Sequence, residues 1–153
     1  KTCQKDNSFD FAIQNGVFHH LNNEKKAYQE AHRVLKKGGY FFIYTDGGGG
    51  IRDIILDMSQ KILKDIDKNF INNSIRSFGL TTNKEYHLGD GLNAEYRHTN
   101  LSKLKTMLEK IGFYNFSQLN GGMKTDFDKP FYKDKYFVEK FGSGDLRILC
   151  QKK

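Results

Sequence analysis

The spacing of apolar positions changes period several times between Phe9 and Thr45. Phe9 to Gln14 is a short, largely apolar run behind the turn-forming Asp6-Asn7-Ser8, which predicts a buried strand. Asn22 or Asn23 then offers a helix N-cap, and from Glu24 the apolar residues Ala27, Ala31, Val34 and Leu35 fall on one helical stripe. Lys36 and Lys37 suit the negative end of that helix, and Gly38-Gly39 stops it. Tyr40 to Thr45 is an unbroken aromatic and β-branched run, the pattern of a strand covered on both faces. The order is β-α-β, which predicts a parallel sheet with ligands bound beyond the carboxyl ends of its strands.

Asp46 to Gly50 is a glycine-rich break. Ile51, Ile54, Ile55, Met58, Ile62 and Ile66 come next at helical spacing, predicting a helix of about four turns whose stripe packs in the core or lids the sheet's edge. A shorter helical piece is expected over 70–78, ended by Gly79. Thr81 to Thr99 has no clear period, and Gly89-Asp90-Gly91 reads as a turn inside it. Leu101, Leu104, Leu108 and Ile111 return to helical spacing before Gly112, and 113–119 and 146–150 read as two last strands. The connection between them, Asn120 to Gly144, is long by ordinary standards, which fits a binding loop as well as an insertion that only packs. No internal repeat or domain boundary is visible, so the 153 residues read as one domain.

Composition changes this picture little. The chain is 37% hydrophobic and 28% charged, polar for a globular domain, and its 13 Phe and 8 Tyr supply the area a core needs. The formal charge of +7 suits an anionic partner, but the lysines are scattered and the aromatics lie in apolar runs, which argues against nucleic acid. Cys3 and Cys150 lie near opposite ends without metal-ligand spacing and read as free thiols of a reducing compartment. No apolar run is long enough to span a membrane, so the expectation is a soluble, cytoplasmic protein.

The strand-end rule nominates Gln14 to His20 and Asp46 to Gly50. Asn15-Gly16 lets backbone approach a ligand closely, and His19-His20 can donate, accept or take a proton near neutral pH. The Gly47–Gly50 run has neither the GxGxxG spacing of a dinucleotide loop nor the Lys-Ser or Lys-Thr of a P-loop. His32 and His87 have no partners at metal spacing, so no metal is expected.

Asp6-Asn7-Ser8-Phe9-Asp10, the strand, and Asn15-Gly16-Val17-Phe18-His19-His20-Leu21 together resemble the middle motif of class I S-adenosylmethionine-dependent methyltransferases. Arg33-Val34-Leu35-Lys36-Lys37-Gly38-Gly39 with Tyr40-Phe41-Phe42-Ile43 is similar to the helix, stop and strand that come next in that family. Leu104 to Phe113 looks like its late helix and following strand. The resemblance implies an α/β, Rossmann-like methyltransferase sheet of seven strands with the last antiparallel, of which this chain supplies strands four to seven. The family's glycine-rich loop and the acidic residue that holds the ribose have no counterpart here. The expectation is therefore a single partial domain, the C-terminal fragment of a longer enzyme, inactive alone and folding poorly because its first strand lacks a neighbour.

Carried over by position, the resemblance places Gln14, Asn15, Gly16 and His19 at the cofactor, S-adenosylmethionine. It places His19 or His20 near the transferred methyl group. Tyr96, Arg97 and His98 fall where the family builds its acceptor pocket, with His98 a second base candidate and Arg97 able to hold an anionic acceptor. The partner implied is a small-molecule or sugar acceptor, anionic ones included. Three other readings compete: half of a nicotinamide-dependent oxidoreductase, a basic nucleic-acid-binding module, and a non-catalytic module completed by a partner chain.

Overall fold

The structure, a computed structural model, describes residues 2–94, 97–119 and 135–153. The β-α-β block forms as the pattern requires. Strand β1 (Phe9–Asn15) leads through a single 3-10 turn, Phe18–His20, into helix α1 (Glu24–Val34), and β2 (Leu35–Asp46) returns parallel to β1. Asn23 is the cap, its side chain accepting from Lys26 N at 3.0 Å.

The helix stops earlier than the lysines suggest. Leu35 is wholly buried and already extended, and Lys36, Lys37, Gly38 and Gly39 belong to β2. Two features draw them into the strand. Lys36 Nζ meets Asp10 Oδ1 at 2.9 Å across the pair, and Gly39 runs so close to β1 that a Cβ would lie 3.1 Å from Asp10 O. The register shift between Phe9 and Phe11 absorbs the extra residues as a bulge.

Helices α2 (Ile51–Leu63), α3 (Lys68–Ser77) and α4 (Thr82–Asn93) come after β2, then α5 (Leu101–Ile111), β3 (Phe113–Gln118), the short α6 (Phe137–Phe141) and β4 (Asp145–Lys152). The sheet order is β1-β2-β4-β3. The last strand inserts between β2 and β3 and runs antiparallel to both, as the resemblance implied. The expected loop 120–144 falls largely outside the described residues; its end forms α6 and the turn into β4.

One face of the sheet holds the core. Phe41, Ile43, Leu146, Ile148 and Cys150 pack beneath Tyr28 of α1 and Leu104 and Leu108 of α5. The Phe41 ring stacks on Phe113 at 5.4 Å and meets Tyr28 edge-on at 6.2 Å. On the other face Phe11, Ile13 and Tyr40 remain exposed, and β1 is an edge strand of the described sheet. Both cysteines are free thiols, Cys3 exposed and Cys150 buried, and burial pushes the Cys150 thiol up to about 12. No helix is long and apolar enough to cross a membrane among the described residues.

Two expectations fail. The isoleucine stripe of α2 is not core: Ile51, Ile54, Ile55 and Met58 are all more than half exposed and Ile62 is 75% exposed. The helix turns its polar side inward instead, because Gln60 Nε2 donates to Gly91 O and Ala94 O and buried Asp53 caps the helix from within. The second correction concerns 82–93, which is the helix α4, running through Gly89 and Gly91. Those glycines serve packing, not a turn: a Cβ on Gly91 would meet Leu56 of α2 at 3.0 Å.

Candidate functional site

The carboxyl ends of β1 and β2 open into a cavity of about 570 Å³. Gly16, His19 and His20 form one wall and Tyr44, Asp46 and Arg52 the floor, while α4 contributes Lys84, His87 and Asp90 from across the opening. Gly16 takes a left-handed φ of 67°, and its N–H donates to Tyr44 O at 2.9 Å, so β1 ends pinned to β2. The 3-10 turn then carries His19 back under β2, where its Nδ1 lies 3.1 Å from Thr45 Oγ1.

His19 is buried. Burial first, then the neighbouring His20 and His98, hold its pKa down to about 4 against the opposing pull of Asp90. It is therefore a neutral imidazole at physiological pH. A histidine with a lowered folded-state pKa contributes stability that is complete above its unfolded value near 6.5 and is lost as pH falls toward 4. Replacing His19 by Gln should therefore remove an acid-linked loss on the order of 2 kcal/mol across that window. Urea unfolding of both proteins at pH 7 and pH 4.5 measures it; equal pH slopes would contradict a buried neutral His19.

Asp46 behaves in the opposite sense. Burial raises its carboxyl to about 6, with Arg52 pulling it down and Asp145 and Asp53 pushing it up. Arg52 Nη2 lies 2.9 Å from Asp46 Oδ2. Behind them, Asp53 Oδ2 accepts from Gly49 N at 2.8 Å and Gly50 N at 3.2 Å, fixing the start of α2. His98 sits between Asp53 Oδ1 at 3.8 Å and Asp57 Oδ1 at 3.6 Å. Asp46, Asp53 and His98 offer ligand atoms within 4.8 Å of one another, a set able to hold a cation. The Arg52 guanidinium already supplies positive charge to both carboxylates.

The structure thus brings His19, His20 and Gly16 together at the cavity. Gln14, Asn15, Arg97 and His98 are not among the described residues that line it. Gln14 is 2% exposed at the end of β1, and neither its amide nitrogen nor its oxygen has a hydrogen-bond partner among the described residues. Asn15 is exposed. Arg97 donates its backbone N–H to His19 O at 3.1 Å, while its side chain is close enough to Glu24 to oppose the upward push of burial on that carboxyl. His98 belongs to the carboxylate cluster behind the floor, pressed against Gly48, where any Cβ would overlap it. Tyr96 lies outside the described residues. Lys84, His87 and Asp90 were missed because 81–99 shows no period from which a helix could be read.

The glycine run after β2 has a purpose unrelated to phosphate. Gly47 N donates to Gly144 O at 2.7 Å and Ser143 N donates to Gly48 O at 3.2 Å, so two backbones lie against each other at the site's edge.

Residues 2–43 match the family model described as a methyltransferase domain. The whole chain is similar in fold to an S-adenosylmethionine-dependent methyltransferase of Thermotoga maritima, with 22% identity and a TM-score of 0.54, covering 100% of this chain and 60% of that one. It is also similar to an S-adenosylmethionine-dependent methyltransferase of Archaeoglobus fulgidus (12% identity, TM-score 0.54, 97% of this chain and 62% of that). A third likeness is to the YcgJ protein of Bacillus subtilis (16% identity, TM-score 0.53, 100% of this chain and 68% of that). No curated protein matches. The chain spans about 60% of the length of the first of these structures.

Proposed function

We propose that this chain belongs to the class I S-adenosylmethionine-dependent methyltransferase family, a reading supported by the match over residues 2–43 and by the likeness in fold, and that it forms the acceptor side of a methyl-transfer site. The observation that carries the reading is the cavity at the carboxyl ends of β1 and β2, with a neutral imidazole in its wall and a carboxyl poised near pH 6 in its floor. The acceptor proposed is a small molecule or a sugar, a size that the cavity admits.

S-adenosylmethionine, when bound, supplies a methyl group on a positively charged sulfonium. Two features of this chain fit it at the end of β1. Gln14 keeps a buried amide without a partner among the described residues, and Gly16 leaves the strand end without a side chain. A neutral His19 also adds no positive charge beside a cationic cofactor.

The work left to the protein is alignment and the proton. The cavity residues would hold and orient the acceptor, which converts a bimolecular encounter into a positioned one. Asp46 is the base that suits the task, because a carboxyl near 6 is ionised at neutral pH and is more basic than an exposed one. Arg97 and His98 act behind the site in this reading, through His19 and the carboxylate cluster.

The cofactor side lies, in this reading, beyond β1. Phe11 and Ile13 of a strand paired in parallel stand exposed, although parallel sheets are ordinarily covered on both faces. Further strands and helices of a longer polypeptide would cover them.

The test is transfer of labelled methyl from S-adenosylmethionine, catalysed by the full-length polypeptide, to a panel of small hydroxyl, amine and sugar acceptors. Asp46→Asn is expected to lower kcat about a hundredfold and to abolish a wild-type loss of rate below about pH 6. Transfer by wild type with an unchanged Asn variant would remove Asp46 from the chemistry. No cofactor binding by the full-length protein would overturn the methyl-transfer reading itself.

A further inference from the structure

We infer that Thr45 is a positioning residue which locks His19 in one tautomer, Nε2–H, so that His19 meets the acceptor as a hydrogen-bond donor and not as a base. The inference rests on the methyl-transfer reading only for what His19 does to the acceptor; the tautomer itself is a matter of hydrogen bonding.

The Thr45 hydroxyl decides it. Thr45 is the penultimate residue of β2, 1% exposed, and its side chain points to the same face of the sheet as Phe41 and Ile43. At that depth no water replaces a missing partner, and a buried hydroxyl proton left without an acceptor is unfavourable by about 1–3 kcal/mol. Among the described residues, the one acceptor within reach of that proton is His19 Nδ1, at 3.1 Å.

A neutral imidazole has one N–H and one bare nitrogen, and the two roles cannot be shared. If Nδ1 carried the proton, Nδ1–H would donate to Oγ1 and the Thr45 hydroxyl proton would have nowhere to go. If Nδ1 is bare, the hydroxyl donates to it and both buried groups are satisfied. The second arrangement leaves the ring proton on Nε2. His19 is held in the neutral form that makes this choice meaningful, since an imidazolium would carry protons on both nitrogens.

The ring's position is fixed at three further points. The His19 carbonyl accepts from Arg97 N at 3.1 Å, the His20 ring lies 4.0 Å away centre to centre, and Gly16 N–H anchors the start of the turn to Tyr44 O. The 3-10 turn has no side-chain cap of its own, and the Thr45 bond holds the ring nitrogen directly. His19 is among the residues that line the cavity, and a ring proton on Nε2 suits an acceptor that offers an oxygen lone pair beside its nucleophilic atom. It does not suit removal of a proton from that atom, a role that falls to Asp46 on the floor.

The test is long-range proton–nitrogen correlation NMR on the full-length protein with labelled histidine, in wild type, Thr45→Val and Thr45→Ser. The His19 signals are assigned by their loss in His19→Gln. The expected result is the Nε2–H pattern in wild type. Thr45→Val should lower the tautomer ratio about fivefold or more, and Thr45→Ser, which keeps the hydroxyl, should restore it. A wild-type Nδ1–H pattern, or a Val variant with the wild-type ratio, would overturn the inference. If Thr45→Val does not fold, wild type and Thr45→Ser still decide, because both must show Nε2–H. If the protein transfers no methyl group to any acceptor, the enzymatic reading fails while the tautomer result stands or falls separately.

Discussion

Replacing Phe41 by Ala is expected to destabilise the chain by about 3–5 kcal/mol. Phe41 is 1% exposed and lies where four elements meet: stacked on Phe113 of β3, edge-on to Tyr28 of α1, and 6.4 Å from Phe18 of the 3-10 turn. The lost transfer free energy of the ring adds to a cavity that the rigid strand cannot close, because Phe41 is paired on both sides, to Ala12 and to Cys150. For a domain of this size each kcal/mol moves the melting temperature by roughly 2–4 °C, so a fall of about 10 °C should be seen by calorimetry. Tyr40→Ala is the control. Its ring is 43% exposed on the opposite face, and its loss should move the transition by only a few degrees, on the order of 1 kcal/mol. Equal effects would mean that the core lies on the other face of the sheet.

The second large effect comes from adding a single methyl group. Gly50→Ala should destabilise by about 3 kcal/mol or more, although Gly50 has an ordinary φ of −92° that any residue adopts. The reason is space alone: a Cβ there would overlap the Lys140 carbonyl and come within 2.5 Å of Phe141 N, all of it backbone that has no rotamer to escape into. Because Gly50 N–H is also held by Asp53, the shift should carry Asp53 and its neighbour His98 with it. Gly38→Ala reverses the logic. Gly38 has a left-handed φ of 75° but nothing among the described residues within 4 Å of an added Cβ, so only strain on the order of 1 kcal/mol is expected. Denaturant unfolding of the pair measures the difference, and a Gly38 variant as unstable as the Gly50 one would show that conformation, not close approach, governs these glycines.

The β-α-β block was legible because each of its signals concerns nearest neighbours. Asn23 caps the helix that starts one residue later, the α1 stripe faces one way, and β2 is too apolar and branched to be anything but a strand. The strand-end rule then located His19, His20 and Asp46 without any knowledge of packing. Inferences that needed a partner were the ones that failed. An isoleucine stripe reads as core until one knows that Gln60 and Asp53, on the other side of α2, are claimed by Gly91, Ala94 and the helix's own start. Gly89 and Gly91 read as a turn until one sees that α4 needs small residues to cross Leu56. The start of β2 was misplaced because Gly38-Gly39 after two lysines is a good helix stop, while the close pass by Asp10 that makes it strand is a tertiary fact. Lys84, His87 and Asp90 reach the cavity on that same unread helix α4.

The insertion of β4 between β2 and β3 has a consequence for the order in which the chain can fold. β2 and β3 precede β4 in sequence yet are not paired with each other; both wait for the C-terminal strand. The pairing of Asp46 with Asp145, and of the Gly47–Gly48 backbone with Ser143 and Gly144, likewise joins segments separated by most of the chain. Closing such a loop costs entropy before any contact offsets it, so these pairings belong to the slow, late part of folding. During synthesis β1, α1 and β2 emerge well before β4 and can collapse on local contacts. The strand end that carries Asp46 acquires its edge only when residues 143–152 have left the ribosome.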